Sequence, residues 1–231
     1  YGGIERVVYF LTEELIRQGN EVVLFGLPGS YCSGKTIEVY GYSLSKMPSG
    51  IKKTTDEISE EFLYKAMKEY LDSNPVDVIH DWSFQNTFVL RHPEAYPFVI
   101  STCVPHFHGY SRPNLVACSK AHAALCGGST KYIHYGLNLS DYKYNFSKKD
   151  FFIHIAKIAK YKGQHLAALA FKKTNEKLKI AGNIEDPLYY WMVLKPLLCC
   201  LRNVSYLGEI QEINDYLCGA KALIQTPRWF D

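Results

Sequence analysis

"FFIHIAKIAKYKGQHLAALAF", residues 151–171, places an apolar run of strand type directly before three lysines, Lys157, Lys160 and Lys162. Gly163 follows at once, and the apolar pattern then changes from strand type to helical type. Two readings fit such a junction. One is a solvated loop. The other is a seat for a phosphate group, because the amides of a helix N-terminus and nearby ammonium groups both favour an anion. A glycine at the junction lets the backbone come close to its neighbour.

The alternation seen there continues on both sides. Towards the C-terminus it gives a strand over 151–156, a helix over 163–173 and a strand in "KLKIAG" ending at Gly182. A helix over 187–201, the strand "VSYLG" (204–208), a helix over 211–219 and the strand "ALIQTP" (222–227) follow. Towards the N-terminus, Ile4, Val7, Val8, Leu11, Leu15 and Ile16 recur at helical spacing, and Gly19 suits the position after a helix end. The strand "EVVLFGL" (21–27) comes next. Residues 28–54 read as loop with one short strand, "TIEVYGY". A helix over 56–71, the strand "VDVIHD" (76–81), a helical stretch near 84–91 and the strand "PFVIST" (97–102) lead to "NLVACS" (114–119). Ser119 is placed to cap the short helix "KAHAALCG", and "KYIHYG" (131–136) is the last strand of this half.

Strands alternating with helices imply parallel sheets with right-handed crossovers. The polar, turn-rich segment 137–149 separates two such arrays, so the expected organisation is a first domain over 1–136, a linker over 137–149 and a second domain over 150–231. The fold class is α/β, two Rossmann-like domains facing a cleft. In such sheets ligands bind at the carboxyl ends of the strands, where the 151–171 junction falls.

Composition narrows the function. The chain has 231 residues, of which 47% are hydrophobic, and a net charge of +3, too small to imply nucleic-acid binding. The charge is uneven. Residues 1–136 hold 12 Lys+Arg against 14 Asp+Glu, and residues 137–231 hold 14 against 9, so an anionic ligand belongs with the second half. Seven cysteines without a metal-type CxxC pair fit a reducing cytoplasm, and no apolar run is long enough to span a bilayer. Neither GxGxxG nor GxxxxGK[ST] occurs, which argues against a nicotinamide fold and a P-loop enzyme.

Three further stretches carry candidate chemistry. "YGGIERV" puts Gly2 and Gly3 directly before a helix, as a plain loop or as a turn with amides for an anion. "CVPHFHGY" (103–110) holds His106 and His108 one residue apart. They read as cleft-facing acid/base or hydrogen-bonding groups or as ordinary loop residues, and no third ligand nearby supports a metal. "VIHDW" (78–82) places His80 and Asp81 at a strand end, with Trp82 as a sugar-stacking surface or a core residue.

Taken in order, these stretches resemble glycosyltransferase family 4, the retaining, sugar-nucleotide-dependent enzymes of GT-B fold. "GGIERVVYFLTEELIRQGNEVVLFG", "VDVIHDW", "NLVACSKAHAALCG" and "YIHYGLNLSDY" resemble its acceptor-side domain and crossover. "FIHIAKIAKYKGQHLAALAF" resembles its "GR(I/L)xxxKG" donor-phosphate segment, which "KLKIAGNIEDPLYY" and "VSYLGEIQEINDYLCGAKALIQTPRWFD" continue. The resemblance implies that Lys157, where the family usually has arginine, and Lys162 hold the donor diphosphate, with Gly163 beside them and Gly2 and Gly3 along the sugar-diphosphate. It implies that Gly182 lines the cleft, that the backbone at Glu209 and Ile210 touches the nucleotide base, and that His108 or His106 is the acceptor-domain histidine.

It implies no cofactor and no metal. The partners would be a nucleotide-sugar donor and a carbohydrate, lipid or small-molecule acceptor, without nucleic acid or a transmembrane segment. The location would be the cytoplasm, with peripheral membrane contact allowed. The family's first strand is expected ahead of Tyr1 and its glutamate-bearing segment beyond Asp231, which would leave the second domain incomplete and the chain as given inactive. The alternatives are a non-catalytic nucleotide-sugar or carbohydrate-binding protein and a GT-B sugar-nucleotide epimerase.

Overall fold

The structure, a computed structural model, describes residues 3–39, 52–102, 112–127 and 130–228, with the side chains of 52–59 outside that description. The chain divides into two compact units, 1–137 and 138–231.

In the first unit, α1 (Gly3–Arg17) ends as its sequence requires. Gly19 takes φ 90°, its amide donates to Ile16 O at 2.9 Å, and Asn20 N donates to Leu15 O at 3.1 Å. This paired closure needs a left-handed residue, which glycine supplies without strain. Strands β1 (Val23–Gly26) and β2 (Lys35–Glu38) pair in parallel. After α2 (Lys52–Leu71), a second parallel sheet runs in the order β3 (Ile79–Asp81), β4 (Phe98–Thr102), β5 (Leu115–Ala117), β6 (Lys131–Tyr132). Met67 and Leu71 of α2 pack with Ile79, Phe98, Ile100 and Leu115 in its core.

The helix expected near 84–91 is shorter, α3 (Thr87–Arg91). Asn86 adopts φ 54°, which no helical residue does, and the Asp81 carboxylate accepts from Ser83 N and Oγ at 2.8 and 2.7 Å. Those bonds hold the residues after β3 as a turn. Helix α4 (Lys120–Leu125) is capped by Ser119, whose hydroxyl accepts from His122 N at 3.1 Å.

In the second unit, β7 (Phe152–Ile155), β8 (Leu178–Ala181) and β9 (Val204–Tyr206) form a parallel sheet in that order. The expected strand 222–227 adds only a parallel bridge on the free side of β7, with Ile153 N donating to Ala222 O and Ile224 N to Ile153 O. Helix α5 (Gln164–Phe171) and the helical run 187–200 pack on one face of the sheet around Ile180, Leu178 and Val204. Helix α8 (Ile213–Gly219) lies on the other, against Phe151 and Ile153.

The run comprises α6 (Pro187–Tyr189), a π-helical turn (Tyr190–Leu194) and α7 (Lys195–Cys200). Pro196 has no N–H to give to the carbonyl one turn back, and the widened turn ahead of it absorbs that loss. The segment expected as a linker is tied to α8. Asn214 Nδ2 donates to Asp141 O at 2.6 Å, Lys143 pairs with Asp215 at 2.8 Å, and Lys148 Nζ donates to Cys218 O at 2.9 Å.

Candidate functional site

The carboxyl edge of the second unit's sheet gathers the residues singled out in the second half of the sequence. The loops after β7 and β8 are zipped together: Ile158 N donates to Asn183 O at 2.7 Å, and Glu185 N and Asp186 N both donate to Ile158 O, at 3.1 and 3.0 Å. Lys157 stands on this zipper. Its ammonium meets Glu185 Oε2 at 2.6 Å, a partner that only its place as an acid in the next strand-end loop could have marked.

Tyr161 lies between the two lysines. The Lys157 and Lys162 ammonium groups sit 5.9 and 5.2 Å from its ring centroid, and its hydroxyl is 3.4 Å from Glu185 Oε2. Burial works against the charge on Lys157, but the hydrogen bonds and fields of Glu185 and Tyr161 outweigh it and its pKa is raised. Lys162 goes the other way. Burial and then the neighbouring Lys157 charge lower its pKa. The site is therefore a pair of unequal cations, one neutralised by its own acid and one held in a field that an arriving anion would relieve.

Gly163 links the Lys160–Lys162 turn to α5 with φ 69°, and a Cβ there would lie 2.0 Å from Thr226 O. Thr226 Oγ1 donates to Gly163 O at 2.8 Å. Gly182 has the same kind of constraint: φ is 146°, and a Cβ would meet Ala156 O at 1.9 Å. Both glycines are thus demanded by close packing within the protein, whatever else approaches them. Tyr206 donates its hydroxyl to Gly182 O at 2.7 Å, and Gly182 N donates to Gly208 O at 2.9 Å, joining this edge to the loop that carries Glu209 and Ile210. The Ile210 side chain packs against the Phe151–Ile153 cluster, while Glu209 is exposed.

The α5 N-terminus is less open than its sequence suggests. The His165 amide donates to the Tyr189 hydroxyl at 3.0 Å, so one of the amides expected to face an anion is already bonded. Gln164 is wholly buried and its Nε2 donates to Lys157 O at 2.9 Å, fixing the backbone that carries the first lysine.

In the first unit, Gly3 opens α1 and is exposed, with nothing within 4 Å of where a Cβ would be. Gly2, His106 and His108 lie outside the described residues. His80 Nε2 is 2.8 Å from Ser101 Oγ. Trp82 is half-buried, with its ring centroid 5.1 Å from His80 and 5.8 Å from Tyr135. It is a member of an aromatic cluster rather than a bare stacking surface. Among the described residues no group of three or more His, Cys, Asp and Glu side chains is arranged to hold a metal.

With this geometry, similarity to solved structures is extensive. The chain matches AviGT4, a glycosyltransferase involved in avilamycin A biosynthesis, over 99% of its own length and 62% of that chain, with TM-score 0.69 and 24% identity. It matches Anabaena HepE, solved in complex with UDP and glucose, over 98% of its length and 71% of that chain, with TM-score 0.63 and 15% identity. The fold is GT-B. WaaG, a glycosyltransferase involved in lipopolysaccharide biosynthesis, matches over 98% and 72% with TM-score 0.52 and 12% identity. At such identities the likeness speaks to the fold. No protein-family model matches the chain, and no curated protein does.

Proposed function

We propose that this chain belongs to a glycosyltransferase that moves a sugar from a nucleotide-diphosphate sugar to an acceptor with retention of configuration. The observation that carries the proposal is the Lys157–Tyr161–Lys162 group at the carboxyl edge of a GT-B sheet, directly ahead of α5. Two structural neighbours are described as glycosyltransferases, and a third holds UDP and glucose. In this reading Lys157 and Lys162 meet the charge that collects on the departing diphosphate, so that no divalent cation is required for it. Stabilising charge that develops during bond cleavage lowers the barrier more than binding the ground state does. Gly163 and Gly182 shape the edge, and the backbone at Glu209 and Ile210 receives the base. His106 or His108 contacts the donor sugar, and Gly2 and Gly3 run along its diphosphate. The acceptor is a carbohydrate, a lipid or a small molecule.

Titration calorimetry with a series of nucleoside diphosphates tests the binding half. Lys157→Ala and Lys162→Ala should each weaken the preferred one by about 1.5–3 kcal/mol, the scale of a hydrogen bond to a charged group. Unchanged affinity in both would refute the assignment. Incubation with the matching nucleotide sugar and acceptor, followed by NMR of the product's anomeric proton, tests the rest. An inverted anomer removes retention, and binding without transfer favours a binding protein.

A further inference from the structure

The helical run 187–200 presents two unlike faces. Tyr189, Tyr190, Leu194 and Leu198 turn inward to the core shared with α5 and the sheet. The outward face would ordinarily be polar. Here Leu188 is 74% exposed, Trp191 62% and Met192 69%, and positions 188, 191, 192, 195 and 199 follow helical spacing along one stripe.

Exposed cations gather towards the C-terminal end of this stripe. Lys195 lies on it, Arg202 follows α7, and Lys172 and Lys173 follow α5; all four are exposed. Asn203 draws the ends of the two helices together, its Nδ2 donating to Phe171 O at 3.0 Å, Thr174 O at 3.2 Å and Glu176 O at 2.8 Å. The nearby acids are engaged elsewhere. Glu176 pairs with Lys221 at 2.6 Å, and Asp186 Oδ1 accepts from Tyr189 N at 3.0 Å.

We propose that this face docks on the surface of an anionic lipid bilayer. Leu188, Trp191 and Met192 would enter the headgroup–acyl boundary, with Lys172, Lys173, Lys195 and Arg202 over the lipid phosphates. Tryptophan beside leucine and methionine, with exposed cations towards the C-terminal end of the same run, matches the chemistry of an interfacial helix. No helix among the described residues is long and apolar enough to cross a membrane, so the contact is superficial. The proposal concerns the outer face of α5 and the run, and it stands independently of the diphosphate site.

The test is vesicle co-sedimentation of the full chain with phosphatidylcholine alone and with phosphatidylcholine–phosphatidylglycerol mixtures. Trp191 emission would be followed against a Trp191→Phe control. Binding should require phosphatidylglycerol and weaken with salt, and Trp191 should be quenched by brominated acyl chains. Each charge removed by Lys172→Gln, Lys173→Gln or Lys195→Gln should lower partitioning about fivefold, equivalent to about 1 kcal/mol. Trp191→Ser should lower it on the order of tenfold. All these positions are exposed, so the variants should fold, as circular dichroism would verify. Equal binding to neutral vesicles, binding unaffected by Trp191→Ser, or no binding to the mixtures would overturn the proposal. So would a dimer that Trp191→Ser disperses, because a second copy would then be the occupant.

Discussion

The chemistry of the proposed diphosphate site turns on one residue that no motif marks. Glu185 pairs with Lys157 at 2.6 Å, so under the proposed function an incoming diphosphate would meet a carboxylate already in place. Removing that charge should favour the ligand. Glu185→Gln should tighten nucleoside-diphosphate binding by about 0.2–1 kcal/mol, the range of partly exposed ion pairs, as calorimetry would read. Weaker binding would mean that Glu185 orients Lys157 more than it competes for it. The glycines make a separate prediction. Gly163→Ala and Gly182→Ala place a Cβ 2.0 and 1.9 Å from backbone oxygens at positive φ. Each should lower stability by at least about 1–3 kcal/mol in chemical denaturation, the cost of a forced backbone conformation before any clash is relieved. Sequence marked both glycines without showing the packing that requires them, because the oxygens that decide it belong to Thr226 and Ala156, distant or on another loop.

At the scale of elements, periodicity carried most of what was legible. An apolar stripe returns every three or four residues in α1 and every other residue in a strand, so the order of strands and helices could be read directly. Departures occur where one side chain overrides the pattern. Asn86 at φ 54° shortens α3, and Pro196 widens the turn before α7. Where α2 meets the turn after β3, Glu60 and Asp81 are both buried, and Glu60 accepts from Gln85 N at 3.2 Å. Burial raises both pKa values against the hydrogen bonds that oppose it, from Gln85 and Ser83 for Glu60 and from Ser83 and Asn86 for Asp81; the Asp81 charge adds to the rise at Glu60.

A carboxyl whose folded pKa is raised binds its proton more tightly in the native state. Its contribution is therefore favourable at acid pH and is lost as pH rises from the ordinary carboxylate range through the folded value. Glu60→Gln keeps an acceptor for Gln85 without the charge. It should raise the melting temperature at neutral pH and leave it nearly unchanged at acid pH. A drop at neutral pH would show that the ionised carboxylate is needed where it is.

At the scale of the whole molecule, the order of motifs was more informative than any one of them: two strand–helix arrays in series imply two Rossmann-like domains, and it is the resemblance of the ordered stretches to glycosyltransferase family 4 that implies GT-B, even though each motif alone has an ordinary loop reading. The uneven charge pointed to the second half, and the described lysine pair sits there. Sequence leaves open which of His106 and His108 serves the first unit's role, because the two stand one residue apart in the same stretch. The functional reading still divides the labour testably. The charge of the diphosphate is assigned to the lysine pair of the second unit and contact with the sugar to one histidine of the first, so the two activities should fail separately. Lys162→Ala should weaken nucleoside-diphosphate binding. Replacing the effective histidine by alanine should leave that affinity within twofold and lower turnover on the order of 10²–10⁴, the range for a group acting on the reacting bond. The other histidine should matter far less. Measuring nucleoside-diphosphate affinity and transfer rate on all three variants distinguishes the outcomes. If both histidine variants retained full turnover, the pair would be ordinary loop residues. If either weakened diphosphate binding as much as Lys162→Ala does, the division between the units would be wrong.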